Sequence, residues 1–329
     1  MISLQTYILR ATSGLEVHIS NYGAKILRLL VPNSKGERVD VVLGFNQPED
    51  WLTKETYFNA VIGRCANRIK DGRFTLNGRE YQLPVNNGTN SLHGGVHGFN
   101  EKYWEVVFYD SQSLKLHYRA ADGEEGYPGN LDVHVTYRVQ DNDLSISYEA
   151  TTDQPTIVNF TNHAYFNLNG EKTPSVRDHV LQVLADAYTP FDDTACPTGE
   201  ILPVEGTPMD FRTPHALGEH IDDPFFALGR GIDNNWVLRD NKAHTPQLAA
   251  VLSTSERTME VLTTCPALQV YTGNYVENNI GKSGTLYRPQ NAVCLETQNI
   301  PDAVNHPNFP SPVLLPNHTF SELTIYRFR

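Results

Sequence analysis

Hydrophobic and polar residues alternate in several short segments of this chain. The pattern is clear in residues 15–19, 114–118, 133–137 and 144–148, and it returns in residues 259–263, 292–297 and 323–328. A period of two is that of a β-strand with one face buried. Turns rich in Asn, Asp, Gly and Pro separate these segments. The pattern therefore predicts a chain made mostly of antiparallel strands.

Helical patterns are few, and we expect them only at residues 48–54 and 214–220. No change of composition, linker or internal repeat divides the chain, and 40% of its residues are hydrophobic. Large β-sandwiches can exceed the usual length of a domain. We therefore predict an all-β protein, a large antiparallel β-sandwich with few short helices, in which residues 1–329 form a single domain.

Charge and composition narrow the function. The 26 basic and 38 acidic residues give a net charge of −12, which argues against binding to nucleic acid or to anionic membranes. No stretch approaches 18 apolar residues and no start resembles a signal peptide, so we expect a soluble, cytoplasmic protein. The four cysteines are far apart in sequence, which favours reduced thiols over disulfides or a zinc site.

The segment 159–168, NFTNHAYFNL, combines strand-forming residues with unusually many polar side chains. On a strand, Thr161, His163 and Tyr165 point to one face, and Phe160, Ala164 and Phe166 point to the other. A single histidine in a strand is often structural. Other motifs must therefore decide whether this face is functional.

Signatures of cofactor chemistry are missing from the sequence. There is no Gly-x-Gly-x-x-Gly after a strand and no phosphate-binding Lys-Ser/Thr loop, which argues against a nicotinamide-dependent enzyme or a kinase. His93 and His97 have the i, i+4 spacing of zinc ligands on a helix, but Gly94 and Gly95 between them disfavour a helix. We predict no cofactor and no metal.

Seven polar segments that contain glycine or apolar residues occur in a characteristic order. They are residues 63–69 (GRCANRI), 90–95 (NSLHGG), 122–129 (DGEEGYPG), 162–168 (NHAYFNL), 231–235 (GIDNN), 269–273 (QVYTG) and 294–302 (CLETQNIPD). In order and spacing the set resembles the aldose 1-epimerase (galactose mutarotase) family. This resemblance implies a cofactor-free enzyme with a galactose mutarotase-like supersandwich, whose concave face holds a free aldose sugar.

The resemblance also implies roles for individual residues. His163 matches the family's general acid, and Glu296 matches its general base. The remaining matches are sugar-binding residues, namely Asn67, Arg68, His93, Tyr165, Asp233 and Gln269. An aromatic ring such as Phe99, Trp236 or Tyr165 is expected to cover the apolar face of the sugar.

The chemistry of anomer exchange requires two proton-transfer groups. The anomeric hydroxyl O1 loses a proton while the ring oxygen O5 gains one; the ring opens, the C1–C2 bond rotates, and closure inverts C1. A carboxylate with an ordinary pKa of about 4.3 can accept from O1, and an imidazole with an ordinary pKa of about 6.5 can protonate O5.

Two alternatives remain open at this stage. A hexose-6-phosphate 1-epimerase on the same scaffold would need further cations, and beyond Arg64 and Arg68 no basic cluster accompanies the motifs. A non-catalytic sugar-binding module would keep the binding residues but would not need an acid and a base. The preferred aldose and the oligomeric state, monomer or homodimer, do not follow from the sequence.

Overall fold

The computed structural model describes residues 4–33, 35–54, 57–239, 245–277 and 279–329. The first half contains the strands β1 Thr6–Arg10, β2 Glu16–Ser20, β3 Ile26–Pro32, β4 Arg38–Asp40, β5 Val61–Ile62, β6 Arg68–Ile69, β7 Arg73–Leu76, β8 Arg79–Gln82, β9 Ser91–Leu92, β10 Glu105–Tyr109, β11 Ser113–Ala120, β12 Leu131–Gln140, β13 Asp143–Thr152 and β14 Thr156–Ile157. The second half contains β15 Thr161–Asn162, β16 Val180–Val183, β17 Ala185–Thr189, β18 Leu202–Pro203, β19 His215–Ala216, β20 Asp233–Leu238, β21 Gln247–Ser253, β22 Thr258–Thr263, β23 Ala267–Tyr271, β24 Asn279–Ile280, β25 Leu286–Tyr287, β26 Cys294–Gln298, β27 Val313–Leu314 and β28 Phe320–Phe328.

Helices are short in the described part of the chain. The α-helix α1 covers Pro48–Thr53, as predicted, with Pro48 in its first turn. Six 3-10 helices cover Lys70–Gly72, Phe99–Glu101, Glu124–Gly126, Leu217–Glu219, Pro224–Phe226 and Ala303–Asn305. No described helix is long and apolar enough to cross a membrane.

The predicted helix at residues 214–220 is wrong. The segment begins with β19, which pairs with β16 through Leu181 and His215, and only Leu217–Glu219 forms a 3-10 turn. Pairing with the edge of a sheet therefore overrides the local helical pattern. The strands predicted from alternation are all present, and β12 and β13 pair over their full ten residues.

Three antiparallel sheets form the sandwich. The largest has nine strands in the order β10-β11-β12-β13-β28-β22-β21-β16-β19, and the others are β1-β2-β3-β4 and β18-β17-β20-β23-β26. One core receives side chains from all three sheets, for example Val17, Val133 and Leu268, each fully buried. This shared core supports the prediction of one domain, which stays a prediction.

Segment 159–168 forms only a short strand. Thr161 and Asn162 pair with β5, and Phe166 then bridges Val42 and Val293 separately. Changing partners breaks the ladder that a continuous strand would need. The two faces are nevertheless as predicted for the apolar positions, because Phe160 and Phe166 lie in the main core.

Candidate active site

A pocket with a volume of about 610 Å³ opens beside the five-stranded sheet. It collects residues that are far apart in sequence, from strands β20, β23 and β26 and from the loops around them. The described residues that line it are Tyr57, Asn67, Arg68, residues 87–90, Leu92, His93, His163, Tyr165, residues 193–195, Leu228, Asp233, Tyr271, Tyr275, Val276 and Glu296. A cavity of this size suits a small-molecule ligand.

His163 and Glu296 lie together at the bottom of this pocket. The His163 Nε2 atom is 3.6 Å from the Glu296 Oε1 atom, and the two side chains are 5% and 2% exposed. This distance exceeds that of a hydrogen bond. The Glu296 Oε2 atom is also buried without a hydrogen-bond partner among the described residues. Two buried polar groups therefore face a cavity with bonding capacity unused.

Burial changes the protonation of both groups. It lowers the pKa of His163 to about 4. It raises the pKa of Glu296 well above the ordinary carboxyl value, and the nearby Asp233 carboxylate raises it further, while Arg68 opposes both effects. Loss of water disfavours each charged form. Burial therefore favours a neutral imidazole and a protonated carboxyl, whereas the ordinary pKa of a carboxyl predicts an ionised base.

His93 approaches the pair from a tight turn. Its backbone is left-handed (φ 53°), and Gly94 follows where an added Cβ would lie 2.0 Å from the Gly63 carbonyl oxygen. The Asn67 N–H donates to His93 Nδ1 over 3.2 Å. Burial, His163 and Arg68 lower the pKa of His93 well below its ordinary value. The ring is therefore neutral with its proton on Nε2, which makes it a hydrogen-bond donor.

Arg68 lines the pocket, and hydrogen bonds to neighbouring residues hold its backbone and the Nε atom of its guanidinium. Its Nε–H donates to Asn87 Oδ1 over 2.9 Å, and its backbone N–H donates to Asn67 Oδ1 over 2.9 Å. Its carbonyl oxygen accepts from the Asp302 N–H. Its terminal nitrogens make no hydrogen bond to the described residues, so they stay available for a ligand in the pocket.

Asp233 and Gln269 occupy neighbouring strands but different positions relative to the pocket. They belong to β20 and β23, and the Gln269 Nε2 donates to Asp233 Oδ1 over 2.7 Å. Asp233 lines the pocket, whereas Gln269 lies behind it and is 4% exposed. Burial raises the pKa of Asp233, and Arg68 and Gln269 counteract this. The Gln269 side chain thus holds the Asp233 carboxylate, and its predicted contact with the sugar stays a prediction.

Tyrosines surround the His163 ring. Tyr165 stacks on it with ring centroids 4.9 Å apart and planes 16° apart, and Tyr57 and Tyr271 lie within 6.1 Å. Tyr165 was among the predicted site residues. Neither Tyr57 nor Tyr271 was among them. No polar motif surrounds Tyr57, whereas Tyr271 lies within the QVYTG segment, which was a signal for it.

Two of the three aromatic candidates for sugar stacking are wrong. Phe99 and Trp236 are buried in the main core at 2% and 0% exposure. The Trp236 Nε1–H donates to the Met209 carbonyl oxygen, which satisfies its polar atom. Tyrosine side chains line the pocket instead, including the half-exposed Tyr275 at 50% exposure.

Arg64, considered above as a possible phosphate-binding cation, does not line the pocket. It is 2% exposed, and its Nη1 donates to the Pro128 and Gly129 carbonyl oxygens and to Thr156 Oγ1. The segment 122–129 therefore serves as an anchor for Arg64. Among the described residues that line the pocket, Arg68 is the only lysine or arginine.

One wall of the pocket, residues 193–195, was not predicted. Asp192 holds this loop, since its Oδ1 accepts from the Thr194 N–H over 2.8 Å and its Oδ2 accepts from Lys70 over 2.6 Å. Buried Asn90 donates to the Thr194 carbonyl oxygen over 2.9 Å. The D-x-T sequence of an Asx turn is a signal that could have located the loop, but not its distant partners.

The bottom of the pocket also contains a group of candidate metal ligands. His163, Cys294 and Glu296 offer ligand atoms within 4.8 Å of one another. An ion there would occupy the two groups that face the cavity. His93 and His97 belong to no group of three ligands among the described residues, and His97 instead pairs with Glu101 over 3.1 Å.

All four cysteines are buried, and none of them forms a disulfide bond within the described part of the chain. This agrees with the reduced thiols expected from their spacing. Burial raises the pKa of Cys65 and of Cys196 to about 12. These two thiols therefore stay protonated at neutral pH and are poor nucleophiles and metal ligands.

Comparison with known proteins connects this pocket with a family. The family model described as aldose 1-epimerase matches residues 5–327. The galactose mutarotase of Mus musculus is 45% identical over 317 residues, which cover 95% of this chain and 91% of the mouse protein. The aldose 1-epimerase of Escherichia coli K12 is 37% identical over 97% of this chain and 94% of its own length.

Solved structures show the same architecture. An aldose epimerase homologue from C. elegans superposes with a TM-score of 0.92 at 31% identity and covers 99% of each chain. A galactose 1-epimerase from Lactobacillus acidophilus gives a TM-score of 0.84 at 29% identity, again over 99% of both chains.

Proposed function

This chain belongs to the aldose 1-epimerase family and is an enzyme of that kind, and we propose that His163 and Glu296 are its acid–base pair. The observation that carries this assignment is their position 3.6 Å apart, buried, and with unused hydrogen-bonding capacity at the bottom of the pocket. The substrate is an aldose sugar, whose hemiacetal supplies one donor, O1–H, and one acceptor, O5.

In the proposed reaction, Glu296 removes the O1 proton while His163 delivers a proton to O5. The C1–O5 bond breaks, and the electron pair on O1 forms the aldehyde. Rotation about C1–C2 presents the other carbonyl face, and the same two transfers run in reverse to close the ring. An acid and a base each contribute about 10²–10⁴-fold.

One proton on the pair is enough for the whole cycle. The cyclic sugar needs His163 protonated and Glu296 ionised, and the open-chain aldehyde leaves the reverse arrangement. Burial of the two side chains favours that reverse arrangement. We infer that O1–H, by donating to the Glu296 carboxylate, offsets its desolvation and moves the proton to His163.

The other polar side chains orient the ring. His93 donates from Nε2, and Arg68 donates from its terminal nitrogens. Asp233, supported by Gln269, accepts from sugar hydroxyls. Asn67 acts on the sugar through His93 and Arg68, since it hydrogen-bonds to both. Tyr165 stacks on His163 and fixes the plane of the acid.

The charge of the pocket favours a neutral sugar over a sugar phosphate. The described lining of the pocket has one guanidinium, that of Arg68, and three carboxyl groups, those of Asp193, Asp233 and Glu296. A phosphate dianion would gain one cation and face several acidic groups. The hexose-6-phosphate alternative therefore has no observation in its favour.

Polarimetry of freshly dissolved sugars tests the proposal. We expect wild-type protein to accelerate the mutarotation of α-glucose and α-galactose, but not that of glucose 6-phosphate to the same extent. His163→Asn should lower turnover at least 10²-fold with a smaller change in KM. Turnover that survives this substitution would remove His163 from the acid role, and a preference for the phosphate ester would overturn the substrate assignment.

A further inference from the structure

A second cluster of metal-ligating side chains lies outside the sugar pocket. His215 is in β19, the edge strand of the nine-stranded sheet, Glu219 ends the following 3-10 helix, and His220 is next in the chain. One ligand atom from each residue lies within 4.8 Å of the others. None of the three lines the sugar pocket.

The His215 ring is held at both nitrogens. Its Nδ1 is 3.0 Å from Glu219 Oε2, and its Nε2 is 3.0 Å from Thr213 Oγ1. When Nε2–H donates to the threonine, the Nδ1 lone pair faces a carboxylate oxygen, and a proton or a cation must lie between them. Hydrogen bonding of the second ring nitrogen is also how proteins orient metal-bound histidines.

His220 provides a separate observation. Its ring packs against Phe211 with centroids 5.1 Å apart and lies 5.2 Å from the His215 ring. Its Nε2 atom is buried and has no hydrogen-bond partner among the described residues. Buried polar atoms are rarely left unpaired, and an ion shared with His215 and Glu219 would give this histidine a partner.

We propose that His215, Glu219 and His220 form a binding site for a divalent ion of the Zn²⁺ type. Two imidazoles and one carboxylate are a common zinc ligand set, with water in the fourth position. Nitrogen ligands argue against Mg²⁺ and Ca²⁺, which take oxygen. Tetrahedral ligands on zinc are about 3.4 Å apart, so the cluster must contract. Glu219 at 57% exposure and His215 at 35% have room to do so.

The ion would act on the fold and not on the sugar chemistry. It would tie the edge strand β19 to the turn that follows, at a point where β19 pairs only with β16 among the described strands. A ligand that binds only the folded chain stabilises it in proportion to the logarithm of its concentration above Kd. We therefore expect zinc to raise the midpoint of thermal unfolding without raising turnover.

Calorimetric titration of chelator-treated, full-length protein with ZnCl₂ tests the proposal. Wild type should bind one ion per chain at this site, and His215→Gln and Glu219→Gln should each weaken that binding at least tenfold. Both side chains are partly exposed, so these variants should fold. The zinc-induced rise in the unfolding midpoint should shrink in the same variants, independently of any activity.

His97 offers a matched control. It pairs with Glu101 at the same i, i+4 spacing and at 3.1 Å, but no third ligand atom joins them in the described part of the chain. His97→Gln should leave zinc binding unchanged. If His97→Gln weakens binding as much as His215→Gln, or if wild type binds no ion, the proposed site is wrong.

Zinc bound at the proposed site must be distinguished from zinc bound by His163, Cys294 and Glu296. That ion would inhibit mutarotation, and its binding would survive in His215→Gln. Co²⁺ separates the two sites, because a cobalt–thiolate complex absorbs in the near ultraviolet and a His₂Glu complex does not. Thiolate absorption as the only cobalt signal of the wild-type protein, unchanged in His215→Gln, would overturn the proposal. Failure of this site would leave the sugar chemistry untouched.

Discussion

Arg64 and Arg68 stand four residues apart in one motif and have opposite surroundings. Arg64 is enclosed, with one nitrogen donating to three oxygen acceptors. Arg68 has its Nε fixed by Asn87 and its end in the pocket. The Arg64 Nη2 atom has no hydrogen-bond partner among the described residues, so what separates the two arginines is position: Arg64 is held inside the fold, whereas Arg68 faces a cavity that can hold a ligand. His163 and Glu296 resemble Arg68 in this respect, because they line the pocket and Arg64 does not.

The largest effect is expected where bonding capacity is unused. Glu296→Gln keeps the shape of the side chain but removes its ability to take the O1 proton. We expect turnover to fall 10²–10⁴-fold. The free energy of unfolding should be unchanged or raised, because an amide replaces the buried carboxyl at this position. Polarimetry and chemical denaturation measure the two quantities.

Glu322 is the matched control for that substitution. It is a partly buried glutamate whose Oε2 atom is buried and unpaired among the described residues, and burial raises its pKa to about 7. It lies outside the sugar pocket. Glu322→Gln should keep turnover within about twofold of wild type. Equal losses in both variants would mean that buried glutamates matter here for folding alone.

Arg64→Met should affect stability and spare the chemistry. The change leaves three acceptors without their charged donor, at a cost of about 3 kcal/mol in the free energy of unfolding. The molecules that remain folded should turn over at nearly the wild-type rate. Denaturant titration gives the stability, and active-site concentration from ligand binding normalises the rate. A selective loss of turnover would show that Arg64 influences the pocket.

Arg68→Met should do the reverse. Its Nε bond to Asn87 is partly exposed, so we expect a small change in the unfolding midpoint. Loss of a charged donor to the sugar should lower kcat/KM about 10–100-fold. Steady-state kinetics on galactose and glucose check this. A stability loss as large as that of Arg64→Met would erase the contrast between the two arginines.

The sequence shows where the polar motifs are, but it does not show which of their side chains bond inside the fold and which face the pocket. The alternation in residues 131–152 predicted long paired strands correctly, because each strand has one buried face. The motifs identified His93, His163, Asp233 and Glu296, and these four residues lie together in one pocket. They could not separate Arg64 from Arg68, because the acceptors of Arg64 come from residues 128–156 and only the folded chain places them there.

Long-range contacts explain the other misses. Tyr57 carries no motif, and its place beside His93 depends on the packing of distant segments. The wall at residues 193–195 depends on Lys70 and Asn90. Phe99 and Trp236 lie near pocket motifs in sequence but point into the core. Phe99 lies in a 3-10 helix, where strand alternation gives no guide. Trp236 lies three positions after Asp233 on β20, so alternation could have placed it on the face opposite Asp233.

The smallest effect concerns pH near neutrality. An ordinary histidine would place the acid limb of kcat/KM near pH 6.5, but burial lowers the pKa of His163 to about 4. Rate should therefore not fall as the pH is lowered from 7.5 to 6. It should fall only as pH drops through about 4, where His163 and Glu296 both carry protons and no base remains. On the alkaline side, rate should fall once the raised pKa of Glu296 is passed, since the pair then has no proton to give O5. These limbs belong to the pair as a unit. A pH–rate profile on free enzyme and low sugar measures them, and an acid limb near 6.5 would mean that His163 is not desolvated as the pocket indicates.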